Sequence, residues 1–507
     1  VEEIINNLLS DTSKLEEMSN NAKSISKPNS TNDICKILLN NSSIKVYDYR
    51  PGDCEELEKS LSVWNSNYYR WEPKGLSYDE DNNILTLPRG IDVDYIKSKL
   101  KCPVVTNKEY NEYEKTNFKL KTEPRDDIQR KAISFLVGTD KFKKSFGYSQ
   151  LSLNLDTGDG KTYCVIASLC LLHCKAIIIS HTENIKEQWY SSIQKFTNID
   201  KRRILNISGT KVLEKFDDSS DYDIYLVNHR TIHEYAKKHG WDSLNDLFKE
   251  MKIGIKVFDE AHIEFSSILN IDFHTNVFKT FYLTATFERT DRGEDRVFKL
   301  CFKNIAKYGY ETRGEKRKHI KYIAILYNSK PDIEARMSIR GPKGFDRYAY
   351  MDYQLSNGML FEVIQYVMEK FEKIDGKCLI LSSKIESSEI IADKVREWYK
   401  DKDIKTYHSK MSKKEKENYK EADIISTTPQ SCGTGFDLPG LRYNIMCEPY
   451  NAHITAEQVC GRLREIPDKY TFHIELIDVG FPKVKEMYKK RLSVFKKKCY
   501  GVYELNY

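Results

Sequence analysis

From Gln150 to Asp478, short apolar runs alternate with stretches of helical character. LSLNL, KAIIIS, DIYLV, IKVFDE and KTFYLTAT make a first series, and CLILSS, DIISTT, RYNIMC and FHIELID make a second. Strands that alternate with helices build a parallel sheet wrapped by those helices. Two series therefore predict two α/β domains in tandem, joined within the charged stretch Tyr308–Lys321, where GEKRKH reads as an exposed linker. At 507 residues the chain exceeds what one ordinary core organises. The expected division is a polar leader over 1–44, rich in Asn, Ser and Lys, then a small α+β accessory module over 45–121. The sheet domains follow at 122–310 and 311–507. In the module, ILTLPRG alternates as a strand does and ends at Pro88. The apolar run Tyr163–Ser180 is interrupted by His173 and Lys175, so it reads as a helix entering a buried strand, and no membrane partner is expected.

TGDGKT, Thr157–Thr162, follows LSLNL and opens a helix. Gly158 and Gly160 let backbone amides turn toward phosphate oxygens around Asp159, and the helix N-terminus adds positive dipole. Lys161 is placed to reach the β and γ phosphates, and Thr162 to ligate magnesium. The usual Gly or Ala five places before Gly160 is replaced by Leu155. DEAH, Asp259–His262, ends the run IKVF. At the carboxyl end of a parallel strand, Asp259 is placed to hold the magnesium shell and Glu260 to orient and deprotonate an attacking water. Taken alone, either motif is an ordinary turn; their order and flanking elements point to a nucleotide site, expected to use ATP and Mg2+.

With TGDGKT, DEAH, TAT (Thr284, Ala285, Thr286) and QVCGR (Gln458–Arg462) in that order, residues 122–480 resemble the superfamily 2 helicases. The resemblance implies two RecA-like domains and nucleic-acid-stimulated ATP hydrolysis. It also implies that Gln129 contacts adenine, and that Thr284 and Thr286 couple hydrolysis to domain movement. Gly435 and Asp437 would meet the nucleotide ribose, while His181, Thr231 and Thr434 would lie along the nucleic-acid backbone. Gln458 and Arg462 would act at the γ-phosphate. The family places a second arginine three residues after the first, whereas Arg464 is two after Arg462 and Glu465 holds the usual place. Organisation within the superfamily is most similar to UvsW-type phage and viral DNA helicases, which implies that the accessory module binds nucleic acid.

The formal charge of +6 is too mild over this length to identify a polyanion partner by itself. Twelve cysteines without metal-ligand spacing predict reduced thiols in a reducing compartment: cytoplasm, nucleus or viral factory. WNSNYYRW, Trp64–Trp71, mixes aromatics with Arg70 as a base-stacking surface does, although such clusters more often fill cores. KVKEMYKKRLSVFKKKCYGVY reads as a basic amphipathic helix that closes over the second domain and presents charge to phosphates, or equally as a solvated basic helix face. The leading expectation is an ATP-driven helicase or translocase on DNA, with RNA-directed transcript release and a non-hydrolysing nucleic-acid scaffold as alternatives. Because one chain carries both halves of the ATP site, a working monomer is expected, alone or within a replication or transcription complex.

Overall fold

The computed structural model describes residues 36–507 except 66–67, 101–103, 107–109, 156–157, 217–220, 285–288, 290, 310–317, 342–343, 409, 412–414, 416–417, 432–437 and 451–458. Among the described residues, seven strands come first: β1 (Lys36–Leu39), β2 (Ser43–Tyr47), β3 (Ser62–Asn65), β4 (Arg70–Pro73), β5 (Ser77–Asp79), β6 (Ile84–Pro88) and β7 (Val104–Thr106). Five of them form a mixed sheet in the order β5-β6-β2-β1-β7, and β3 and β4 form a separate antiparallel hairpin. β1 thus lies within the stretch expected as a leader.

The first large sheet contains β8 (Gln150–Asn154), β9 (Ala176–Ser180), β10 (Ile204–Asn206), β11 (Ile224–Asn228), β12 (Ile255–Phe258), β13 (Lys279–Thr284) and β14 (Ala306–Tyr308). Its order is β10-β11-β9-β12-β13-β8-β14, with parallel pairing throughout. Alternate residues of one strand serve different cores. Ile177 and Ile179 face a core shared with Ile37, Val46 and Leu85 of the N-terminal module, whereas Ile178 faces one containing Ala132 and Ile166. The module is therefore packed onto one face of the first sheet. Polar contacts reinforce the junction: Gln150 Nε2 donates to Ser42 O (3.2 Å) and Ser149 Oγ to Asn41 O (2.8 Å).

After β15 (Ile320–Tyr327) comes a short hairpin, β16 (Arg340–Gly341) with β17 (Gly344–Phe345). The second large sheet adds β18 (Lys377–Leu381), β19 (Ile404–Tyr407), β20 (Ile424–Thr427), β21 (Leu441–Met446), β22 (Thr471–Asp478) and β23 (Gly501–Asn506) to β15. Its order is β19-β20-β18-β21-β22-β15-β23, again all parallel. The expected architecture, two tandem RecA-like parallel-sheet domains preceded by a small α+β module, is what the chain adopts.

One expectation needs correction at the C-terminus. The basic helix spans Pro482–Lys498 and stops there; Cys499 is extended, and CYGVY turns back into β23 beside β15. Nor is the helix only a solvated basic face. Arg491 is fully buried, with Nη2 2.7 Å from Glu475 Oε2, and that carboxylate also accepts from Tyr322 Oη (2.8 Å) and Tyr450 Oη (2.5 Å). Burial opposes the Glu475 charge, yet Arg491 and His473 hold the carboxyl well below its ordinary range.

Candidate active site

β8 delivers the phosphate-loop candidate, and the helix Lys161–Leu172 receives it, with Gly160 as its N-cap. Gly158 (φ +99°) and Gly160 (φ +87°) occupy the left-handed region that a side chain disfavours. A Cβ there would also displace a neighbouring side chain. A Cβ at Gly160 would collide with the Gln129 amide, and one at Gly158 with the Arg464 guanidinium. Lys161 Nζ donates to Leu155 O at 2.9 Å, and half-buried Thr162 follows in the first helical turn. Thr157 lies outside the described residues.

Gln129 is 4% exposed and held by its own helix start. Asp126 caps the helix Asp127–Val137 by accepting from Gln129 N (2.9 Å), while Gln129 Oε1 accepts from Arg125 N (2.8 Å). Its Nε2 donates to Asp159 O at 3.2 Å, so this side chain buttresses the loop backbone.

β12 lies between β9 and β13, which places Asp259 and Glu260 at the carboxyl end of the sheet's centre. Asp259 N donates to Ile179 O (3.1 Å) and Ala261 N to Leu283 O (2.8 Å), so neighbouring strands fix the turn. Asp259 Oδ2 accepts from Trp189 Nε1 at 2.8 Å and Oδ1 accepts from Glu260 N at 2.9 Å. Burial, then the adjacent Glu260 charge, pushes Asp259 up to about 6 despite the indole bond. Glu260 itself has φ +49°, a strained position for a side-chain-bearing residue. His262 Nδ1 is 2.9 Å from Thr284 Oγ1 and 3.5 Å from Glu260 Oε2, joining the acidic turn to the end of β13. Burial pushes the imidazole down to about 4. Ala285 and Thr286 lie outside the described residues. Arg289 beyond them donates back to His262 O and Ile263 O while pairing with Glu294 (2.6 Å).

His181 follows β9 and pairs through Nδ1 with Glu264 Oε1 at 2.6 Å. Thr231 is 8% exposed in the helix His229–His239. Asn228 joins these two segments, since it accepts from Ser180 Oγ (2.9 Å) and donates to Glu183 Oε1 (2.9 Å). In the second domain, Thr434, Gly435, Asp437 and Gln458 lie outside the described residues. Half-buried Arg462 donates its backbone N to Val459 O (3.2 Å), and Arg464 two residues on lies against Gly158 of the first domain.

Motif reading did not single out Trp189, Arg125 or Arg289. Trp189 stands at the end of ISHTENIKEQW, but which turn its ring reaches depends on how the helix Glu183–Phe196 packs on the sheet. Phosphate and magnesium suit the described residues: two positive-φ glycines leave room at a helix start, and buried Asp259 retains a carboxylate whose desolvation a cation would offset.

Residues 122–289 match the family described as type III restriction enzyme, res subunit. A curated relative, "Putative helicase 161L" of Invertebrate iridescent virus 6, is 24% identical over 412 residues, covering 76% of this chain and 84% of its own. S. cerevisiae Dbp5 bound to RNA and ADP BeF3 superposes with a TM-score of 0.50 at 13% identity, covering 75% of this chain and 89% of that one. T4 UvsW aligns over 94% of this chain and 100% of its own at 14% identity and a TM-score of 0.37. By its matched sequence, its ordered motifs and its paired parallel sheets, the chain resembles the superfamily 2 helicases.

Proposed function

We propose that the chain is an ATP-dependent nucleic-acid motor that couples hydrolysis to unwinding or remodelling of DNA. The reading rests on one contact above all, Arg464 of the second domain against Gly158 of the phosphate loop in the first. A cation supplied by one sheet to the nucleotide cradle of the other makes catalysis sensitive to domain separation, which is the requirement for turning hydrolysis into movement. DNA as the track is favoured by the description of the matched family as a restriction-enzyme subunit.

In this reading, Gly158, Asp159 and Gly160 cradle the phosphates and Lys161 carries positive charge to them. Thr162 and Asp259 would hold magnesium, which neutralises phosphate charge when bound. Glu260 orients the attacking water and takes its proton. Trp189 keeps the Asp259 carboxylate directed, and Arg464, with Arg462 nearby, meets charge developing on the γ-phosphate. Gln129 supports the loop through Asp159, beside any contact to adenine. His262, bonded to Thr284, is the route by which the acidic turn senses the β13 end. Thr157, Thr286, Thr434, Gly435, Asp437 and Gln458 keep the roles their motifs imply. Each chain completes its own site and works as a monomer. Among the described residues, no helix is long and apolar enough to cross a membrane.

Steady-state ATP hydrolysis by wild type and Glu260→Gln tests the proposal, without nucleic acid and then with single-stranded DNA, branched DNA or RNA. Stimulation by DNA, reduced by about 100-fold or more in the variant, is expected. Stimulation by RNA alone moves the chain to transcript-directed work, and no turnover on any strand refutes a motor.

A further inference from the structure

The β3–β4 hairpin stands apart from both large sheets and from the five-stranded sheet of its own module. Its register sets Trp64 directly opposite Trp71, with Val63 opposite Glu72. Side chains on a strand alternate in direction, so the two indoles share one face and Val63 takes the other. Val63 packs toward the motor: a Cβ on Gly293 would lie 3.0 Å from Val63 Cγ1. From the same motor helix, Arg292–Cys301, Arg296 donates to Ser60 O (2.7 Å) and Ser62 O (2.7 Å). An isolated two-stranded hairpin is barely stable in water, so these contacts are what hold this one in place.

The face turned from the motor is open. Trp64 is 48% and Trp71 42% exposed, and Tyr68 and Tyr69 at the turn are 68% and 82% exposed. The indoles meet edge to face with ring centroids 5.6 Å apart, and the Arg70 guanidinium sits 5.4 Å from the Tyr68 ring. Composition alone favoured a core for this cluster; its exposure removes that role. Four exposed aromatic rings on one short hairpin form a surface built for contact. Its local charge is positive. Arg70 and Lys74 flank Glu72, which is 26% exposed and 3.8 Å from each cation, so one carboxylate faces two cationic groups. By the same alternation Arg70 and Glu72 belong to the Val63 side of the hairpin, so the open π faces are what suit unpaired bases, and Arg70, exposed at the strand end beside the Tyr68 ring, is the cation within reach of their phosphate backbone.

We propose that the Ser62–Pro73 hairpin is a nucleic-acid contact separate from the ATPase motifs, on which Trp64 and Trp71 stack unpaired bases beside Arg70. The inference rests on the motor reading above and adds to it a strand-holding element fixed to the first domain. Because the helix Arg292–Cys301 follows closely on the Thr284 segment, a strand held here would be anchored to the domain that carries the phosphate loop.

The test measures equilibrium binding of the full chain to fluorescein-labelled oligodeoxythymidylate, oligouridylate and an abasic deoxyribose strand of equal length, for wild type and for Trp64→Ala/Trp71→Ala. Both side chains are substantially exposed, and matching thermal melts confirm that the variant folds. The expected result is a Kd for base-bearing strands raised about tenfold or more in the variant, with little change on the abasic strand, because stacking needs bases. The DNA and RNA arms show which strand the platform prefers. Equal binding by wild type and variant overturns the platform while leaving the motor intact, and assigns the aromatic face to a protein partner. If wild type binds none of the strands, the motor reading fails and the platform fails with it.

Discussion

Trp189→Phe removes one hydrogen bond to Asp259 and keeps an aromatic ring in a site that is 1% exposed. With Asp259 at about 6, its carboxyl is ionised at pH 8 and mostly protonated at pH 5. A hydrogen bond to a charged acceptor contributes about 1.5–3 kcal/mol and one to a neutral acceptor about 1 kcal/mol. The sign follows directly. Asp259 is raised above its ordinary value, so the carboxylate that makes the indole bond strong exists above about pH 6, and the extra stabilisation fades as pH falls through that value. The smaller ring also leaves a void, but its cost is common to both conditions. For a unit of this size 1 kcal/mol moves Tm by roughly 2–4 °C. Differential scanning calorimetry at low ionic strength, without nucleotide or magnesium, should show the first-domain transition lowered at pH 8 by about 3–12 °C from the hydrogen bond, added to the void's share. At pH 5 the hydrogen-bond part shrinks to about 2–4 °C. Equal depression at both pH values would refute a charge-assisted bond, and no depression would refute the contact itself.

Arg464→Ala should lower nucleic-acid-stimulated kcat by about a thousandfold, with Arg462→Ala the milder of the two, as steady-state kinetics with nucleotide-binding controls would reveal. The reverse ranking would return the catalytic cation to Arg462. Arg491→Met leaves Glu475 buried without its charged partner and should cost about 3–5 kcal/mol in the second-domain transition, read by calorimetry. Adding Glu475→Leu should restore most of that loss; a double variant no better than the single one would contradict the pairing.

Periodicity and motif order made much of the molecule legible from the chain itself. Short apolar runs separated by helices imply parallel sheets because the strands must be covered on both faces, and TGDGKT and DEAH land at carboxyl ends of β8 and β12 because chemistry in such sheets collects there. The C-terminal strand was hidden. CYGVY shares its basic and aromatic composition with the preceding helix, and only the open edge of β15 gives it a partner.

What the sequence determined alone is local: strand and helix periods, the glycines that the phosphate loop requires, and the acidic turn that follows IKVF. Tertiary structure decided which distant groups meet. Trp189 reaches Asp259 across 70 positions because the helix after β9 packs over β9 and β11, next to the end of β12, and Arg464 reaches Gly158 because the second domain faces the first. The fate of WNSNYYRW was settled the same way. Its composition suits a core or a stacking surface, and the choice followed from Arg296 and Gly293, which hold one face of the hairpin and leave its indoles to solvent.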